Sequence, residues 1–337
     1  MSTAVAARRV LIPVELGALQ ARPRQGEPMQ LDGLSMGTHW VVKLAGVAER
    51  SRPALQAGIQ RVLDQVVAEM SHWASDSALS HFNRAPAGSW HTLPEACFAV
   101  LQAGLAVARA SDGAFDPTVG ALVNLWGFGP SGPRQVPPSP QEVAVAQACS
   151  GWQRLELQAA ERRVCQPGGL QLDFSGIAKG YAVDAVLDYL RGLGISSVLV
   201  EVGGELSGLG VKPDAQPWWV VLAQPPGSQL ADTVVALHGL SMATSGDYLR
   251  HFQHAGRDYA HTLDPRSGEP LLAAPASVSV LHPRCMLADA HATAISVLGV
   301  EAGLAYAERY QLAALIIERC ADGLREHLSS ALARLQD

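Results

Sequence analysis

Hydrophobic positions along the chain switch between two periods, and the switches mark its elements. Over residues 34–44 apolar and polar side chains alternate, as in a half-buried strand. The period then changes: Leu55, Ile59, Val62, Leu63, Val66, Val67 and Met70 fall on one face at helical spacing and predict a helix. Thr92-Leu-Pro-Glu95 reads as a capping box that opens a second helix, ended near Gly113. Residues 130–140 are rich in proline and make a surface loop, after which Ser139-Pro-Gln-Glu142 caps a short helix ending at Gly151.

The second half alternates short strands with helices. Residues 195–202 are a continuous apolar run of strand length, closed by Gly203-Gly204. Residues 179–193 and 287–298 read as helices; 218–222, 259–263, 278–281 and 312–317 read as strands, with a hairpin turn at Asp322-Gly323. Strands with few clean β-α-β units predict an α+β fold with mixed sheets. No G-x-G-x-x-G follows a strand, which argues against a standard dinucleotide fold.

Composition narrows the class. With 337 residues, 48% hydrophobic and 17% charged, the chain is globular and long enough for one large domain or two fused lobes. A net charge of −6 gives no footprint for nucleic acid and no basic patch for an anionic membrane. The five cysteines are scattered without C-x-x-C spacing and predict neither a zinc site nor a disulfide framework. Arg8, Arg9, Val10, Leu11 and Ile12 begin like a secretory signal, but Pro13 and Glu15 break the run. No stretch of about 18 apolar residues occurs, so no transmembrane segment is expected. The expected organisation is a poorly ordered extension over 1–28 and one functional domain over 29–337. The expected compartment is the cytoplasm, or the periplasm if the N-terminus is processed.

Several segments can carry chemistry. Asp173-Phe-Ser-Gly-Ile-Ala-Lys-Gly180 is a glycine-bearing turn running into a helix, where free N–H groups, the positive helix end and Lys179 make a seat for phosphate. By itself it is equally an ordinary strand-to-helix turn capped by Ser175. Asp289 and Thr293, one helical turn apart, share a face and suit Mg²⁺, which accepts few protein ligands; the alternative is a solvated stripe. His261-Thr-Leu-Asp-Pro-Arg-Ser-Gly268 joins a strand to a tight turn. There Asp264 closes the turn, and His261 is a candidate base or a structural histidine. Ala114-Phe-Asp-Pro-Thr-Val-Gly120 and Asn124-Leu-Trp-Gly-Phe-Gly129 form a loop whose Phe115 or Trp126 walls a flat ring or plugs a core. Met70-Ser-His-Trp73, followed by Ser77, Ser80 and Asn83, is a second polar-aromatic loop.

Together these segments resemble the ApbE family, the FAD:protein FMN transferases. Met36-Gly-Thr38 resembles its M-G-T, the 114–129 loop its F-D-P-T-V-G…L-W-G-F-G, residues 173–180 its D-L-G/S-G/A-I-A-K-G, and Gly203-Gly-Glu205 its G-G-D/E. Thr244-Ser-Gly-Asp-Tyr248, His261…Asp264-Pro265…Gly268 and Ala288-Asp289…Thr293 complete the series in the family's order. The resemblance implies a mixed-sheet α+β architecture, related to the T-fold, with FAD bound between two lobes. It implies flavin contacts at Met36, Trp73, Ala114, Phe115, Asp116, Ser175, Tyr181 and Leu263, with Lys179 on the phosphates. It also implies Mg²⁺ held by the Ala178 carbonyl and the side chains of Asp289 and Thr293. Trp73 stands where the family often has Tyr, and Ala292 where some members carry a second Asp, leaving a position for water. The implied reaction uses FAD as substrate and Mg²⁺ as cofactor, His261 as base, and Asp264 to orient that histidine or the turn. The expected partner is an acceptor protein with a D-G-x-S/T-G-A type motif, since this chain lacks one. FAD hydrolysis by water and an idle flavin-binding module are the competing readings.

Overall fold

The computed structural model describes residues 8–13, 23, 26–246, 251–271 and 275–336. Asp247 and Tyr248 of the 244–248 motif lie outside the described residues. The centre of the fold is an eight-stranded sheet. Its order is Gly323–Leu328, Ala313–Cys320, Ser277–His282, Leu240–Gly246, Glu205–Leu209, Val198–Val202, Thr38–Leu44 and Met29–Ser35. Every pairing in it is antiparallel. Mixed pairing occurs in a three-stranded sheet, where Arg9–Leu11 runs parallel to Thr233–Leu237 and Trp218–Val221 antiparallel to it.

Alternation explains how the central strands are covered on both faces. Ala314 and Ile316 face one apolar cluster with Val278 and Val280, whereas Leu315 and Ile317 face the other with Leu281. The first cluster is roofed by the helices Arg52–Met70, Ala178–Gly192 and Cys285–Arg309. The second is closed by Leu11, Trp218, Val235 and Leu237 of the small sheet. Residues 9–11 therefore dock as a strand inside the expected extension, and Arg9 grips Glu326 through two hydrogen bonds of 3.1 and 2.7 Å.

Other expectations shift at their boundaries. The alternation over 34–44 is a hairpin, Met29–Ser35 and Thr38–Leu44, turned at Met36-Gly37 with φ of 52° and 70°. Positive φ at both central residues matches the right-handed twist of the strands, so periodicity runs through the turn unbroken. Thr92-Leu-Pro-Glu95 makes no capping box: Thr92 ends the strand Trp90–Thr92, and Pro94 precedes the helix Glu95–Ala110 without a side-chain cap. Ser139 and Glu142 do form theirs, opening Pro140–Cys149. The segment 259–263 divides into Arg257–Ala260 and Leu263–Asp264. The helix read over 287–298 belongs to Cys285–Arg309, whose helical geometry breaks at Gly299. Among the described residues it alone is long and apolar enough to cross a membrane, and half of its most apolar stretch is buried within the fold.

Candidate functional site

The site forms where the turn at 173–177 enters the helix Ala178–Gly192 and lies against Cys285–Arg309. Asp173, not Ser175, shapes the turn: its Oδ1 accepts the Ser175 N–H at 2.7 Å. Asp184, on the Ala178–Gly192 helix, caps the other helix by accepting from the N–H groups of Cys285 (2.9 Å) and Met286 (3.0 Å). A carboxylate at a helix N-terminus is stabilised by the free N–H groups and the positive helix end, so this bond locks the two helices together.

Two glycines allow the approach. A Cβ on Gly176 would lie 2.8 Å from Thr293 Oγ1 and 3.3 Å from the Phe115 ring, and one on Gly180 would strike the Cys285 carbonyl. The Gly180 N–H donates to Asp289 Oδ2 at 3.0 Å. Ala178 thus lies in a segment whose flanking glycines, Gly176 and Gly180, approach Thr293 and Asp289. Ser245 Oγ lies 3.4 Å from Thr293 Oγ1. Ala292 is fully buried in the main core, so Asp289 is the seat's helical carboxylate.

The electrostatics favour a cation. Lys179 pairs with Glu205, which the Gly203-Gly204 hairpin turn presents and which is 2% exposed. Burial pulls the Lys179 ammonium down, but Glu205 and Asp289 outweigh it and hold it above its ordinary value. Burial pushes Glu205 up to about 7 against the pull of Lys179. Asp289 is raised by burial too, opposed by Lys179 and the Gly180 N–H. Two buried carboxylates share one ammonium, and Glu205 Oε2 has no hydrogen-bond partner. A buried anion is costly unless paired or protonated, so a cation bound here would be stabilised by these carboxylates. The donors are all hard oxygens, which fit Mg²⁺ with water completing its shell. Among the described residues no group of three His, Cys, Asp or Glu side chains could hold a metal, so any metal here relies on the neutral oxygens of Ala178 and Thr293.

The expected flavin positions divide. Trp73 is 56% exposed and Ser175 is exposed, while Met36 and Tyr181 are half-buried. Ala114, Phe115, Asp116 and Leu263 are buried. Asp116 frames its loop, accepting from the Thr118 N–H (2.8 Å), the Thr118 hydroxyl (2.7 Å) and the Trp152 N–H (3.2 Å). Burial raises its carboxyl above the ordinary value. Leu263 packs with Trp126, Tyr259 and Leu122 in a separate apolar cluster.

His261 is half-buried and meets the Phe128 ring edge-on at 6.4 Å. Asp264 is bonded within its own turn. Its carboxylate accepts from the Arg266 N–H, Nε and Nη2 at 2.9, 2.9 and 2.8 Å. Three residues gained no individual role from the sequence: Glu205, His72 and Asp173. Each stood inside a quoted motif, but burial without a partner is a property of the fold.

An oxygen-lined, acidic seat between a glycine turn and a core helix, on an antiparallel sheet, defines the protein as an α+β fold with one buried polar site. The ApbE family model matches residues 36–316, and the chain belongs to the ApbE family. It is 36% identical over 312 residues to the FAD:protein FMN transferase of Vibrio cholerae serotype O1, covering 91% of this chain and 92% of that one. The Haemophilus influenzae protein of the same name is 33% identical over 332 residues, 95% of each chain. The apo structure of Pseudomonas stutzeri flavinyl transferase ApbE superposes with a TM-score of 0.84 at 39% identity, covering 92% of this chain and 96% of that one. The flavin transferase ApbE from Vibrio cholerae gives 0.84 at 35% identity, over 91% and 99% of the two chains.

Proposed function

We propose that this chain transfers the FMN half of FAD to a Ser or Thr hydroxyl of an acceptor protein and releases AMP. What supports the reading is the approach of the 176–180 turn to Asp289 and Thr293 beside Lys179, a set of oxygen donors and one ammonium that suits a metal ion and a pyrophosphate. Ala178, Asp289 and Thr293 would hold Mg²⁺, which supplies charge neutralisation on the pyrophosphate and a better AMP leaving group. The acceptor oxygen bonds to the FMN phosphorus as the phosphoanhydride bond breaks, and its proton passes to His261. A positioned base is needed because a protein hydroxyl is a poor nucleophile at neutral pH. Asp289 and Lys179 are poor substitutes, since each is engaged in the buried charge cluster. Trp73 offers an open indole face for ring stacking.

The test is co-expression with an acceptor carrying a D-G-x-S/T-G-A type motif, followed by intact-mass measurement. A gain equal to one FMN less one water, absent when the motif hydroxyl is removed, supports the reading. An unmodified acceptor beside consumed FAD would make the chain a hydrolase instead.

A further inference from the structure

Beside the seat lies a cavity of about 260 Å³ whose polar lining is almost entirely self-satisfied. Asn83 clasps the Leu172 backbone through both its amide atoms, at 2.9 and 2.7 Å. Asn124 Nδ2 donates to Gln171 Oε1 at 2.6 Å, and its Oδ1 accepts from Ser131. Two lining residues are different. His72 Nε2 and Asp173 Oδ2 are buried and have no hydrogen-bond partner. Asp173 Oδ1 accepts from the Ser175 N–H at 2.7 Å and stands 3.7 Å from His72 Nδ1, an ion-pair separation longer than a hydrogen bond. The two side chains are 11% and 4% exposed. An unfilled buried donor or acceptor costs the desolvation of that group, so two such atoms lining one cavity favour a polar occupant there.

With the imidazole protonated at both nitrogens, Nδ1–H faces Asp173 Oδ1 and Nε2–H is left as a donor, with Asp173 Oδ2 as the acceptor. The complement of this pair is a ring edge with an N–H next to an acceptor. Both halves of FAD carry one: the flavin imide, N3–H between two carbonyls, and the adenine amine beside a ring nitrogen. The cavity is smaller than the roughly 300–1,000 Å³ that encloses a whole drug-sized ligand, so it takes an edge, not a complete ring system. Its place is informative. Asp173 opens the turn whose Gly176 lies on Thr293, and His72 is followed by exposed Trp73, with the two rings 5.4 Å apart. A planar ring stacked on Trp73 would point one edge at the pair and its phosphate toward the seat.

We propose that His72 and Asp173 bind the imide edge of the flavin and so select the half of FAD that is transferred; this rests on the FMN-transfer reading above. The imide presents acceptor, donor, acceptor, and so meets the pair with either face of the ring against Trp73. Asp173 accepts from N3–H, and His72 donates to a flanking carbonyl.

The test measures equilibrium binding of riboflavin, N3-methylriboflavin and AMP to wild type, Asp173→Asn and His72→Gln. N3-methylation removes the donor without touching the protein, so wild type should bind the methylated flavin at least about tenfold more weakly. Asp173→Asn should weaken riboflavin by a similar factor, leave AMP unchanged, and bring the methylated-to-parent ratio close to one. His72→Gln should weaken both flavins equally. An equal wild-type affinity for the two flavins overturns the proposal, as does a loss confined to AMP, which would put adenine in the cavity. If wild type flavinylates an acceptor yet shows no N3-methyl discrimination, this inference alone fails. If it neither binds FAD nor flavinylates an acceptor, the FMN-transfer reading fails and takes this one with it.

Discussion

The seat on the Cys285–Arg309 helix and the turn that carries His261 are built on different principles. At the seat, residues from two core helices are pinned by buried bonds: Asp184 caps one helix from the other, and Gly180 donates to Asp289. At the turn, His261 sits between the short strands Arg257–Ala260 and Leu263–Asp264, and the nearby carboxylate of Asp264 is engaged with Arg266. The seat gathers two buried carboxylates around one ammonium. The turn commits its carboxylate to holding its own shape. The seat is thus tied together by bonds between core helices, whereas the turn is tied by bonds within itself.

The comparison breaks most sharply at Asp289. Asp289→Ala removes the seat's helical carboxylate, and transfer should fall by about a thousandfold or more, as expected when Lewis-acid stabilisation of a phosphoryl group is lost. Titration with Mg²⁺ or Mn²⁺ should show metal binding lost in parallel, and EDTA should mimic the variant. Full activity in either case removes the metal from the account. His261→Ala should lower single-turnover transfer by about a hundredfold while FAD and metal binding stay near wild type. The wild-type rate should rise with pH as the imidazole loses its proton, and the variant should lack that limb. A near-wild-type rate in the variant would return His261 to a structural role.

The far side of the same helix supplies a control. His291 is buried against Tyr306, with Nδ1 2.9 Å from its hydroxyl, and burial together with His282 holds its pKa down to about 4. The unfolded chain binds that proton more readily than the folded one. The contribution is thus fully present above the unfolded value and is lost as pH falls toward the folded value. Between pH 7 and pH 5 the loss should be about 2 kcal/mol. His291→Gln, which keeps a partner for Tyr306, should show a correspondingly shallower fall of unfolding free energy in urea melts. Identical slopes would mean that another group governs the acid limb. The smallest effect concerns Trp73. Trp73→Ala should weaken FAD by about 0.5–1.5 kcal/mol, read by fluorescence titration, with turnover retained. Unchanged affinity would put the stacking surface elsewhere.

Legibility from sequence followed the same division. The core helices were readable because their apolar faces repeat at helical spacing, and Asp289 and Thr293 came with them as an i, i+4 pair. The hairpin at Met36-Gly37 was hidden because strand alternation continues through a two-residue turn. Thr92 misled because a capping-box pattern needs a helix start at that residue, and cross-strand pairing of Thr92 with Arg163 claims it first. Arg9–Leu11 was read as part of a loose extension because its partner strand, Thr233–Leu237, lies more than two hundred residues away. The motifs contained Glu205, His72 and Asp173, but their unpaired atoms arise from packing between distant segments, which no local pattern encodes.

The central claim is that this seat transfers FMN instead of merely splitting FAD. It is tested most directly by counting FMN bound to the acceptor and AMP released in one reaction, with acceptor present and absent. The account predicts equimolar FMN incorporation and AMP release with acceptor, and little AMP without it. AMP released equally fast in both reactions, with the acceptor left unmodified, would contradict it.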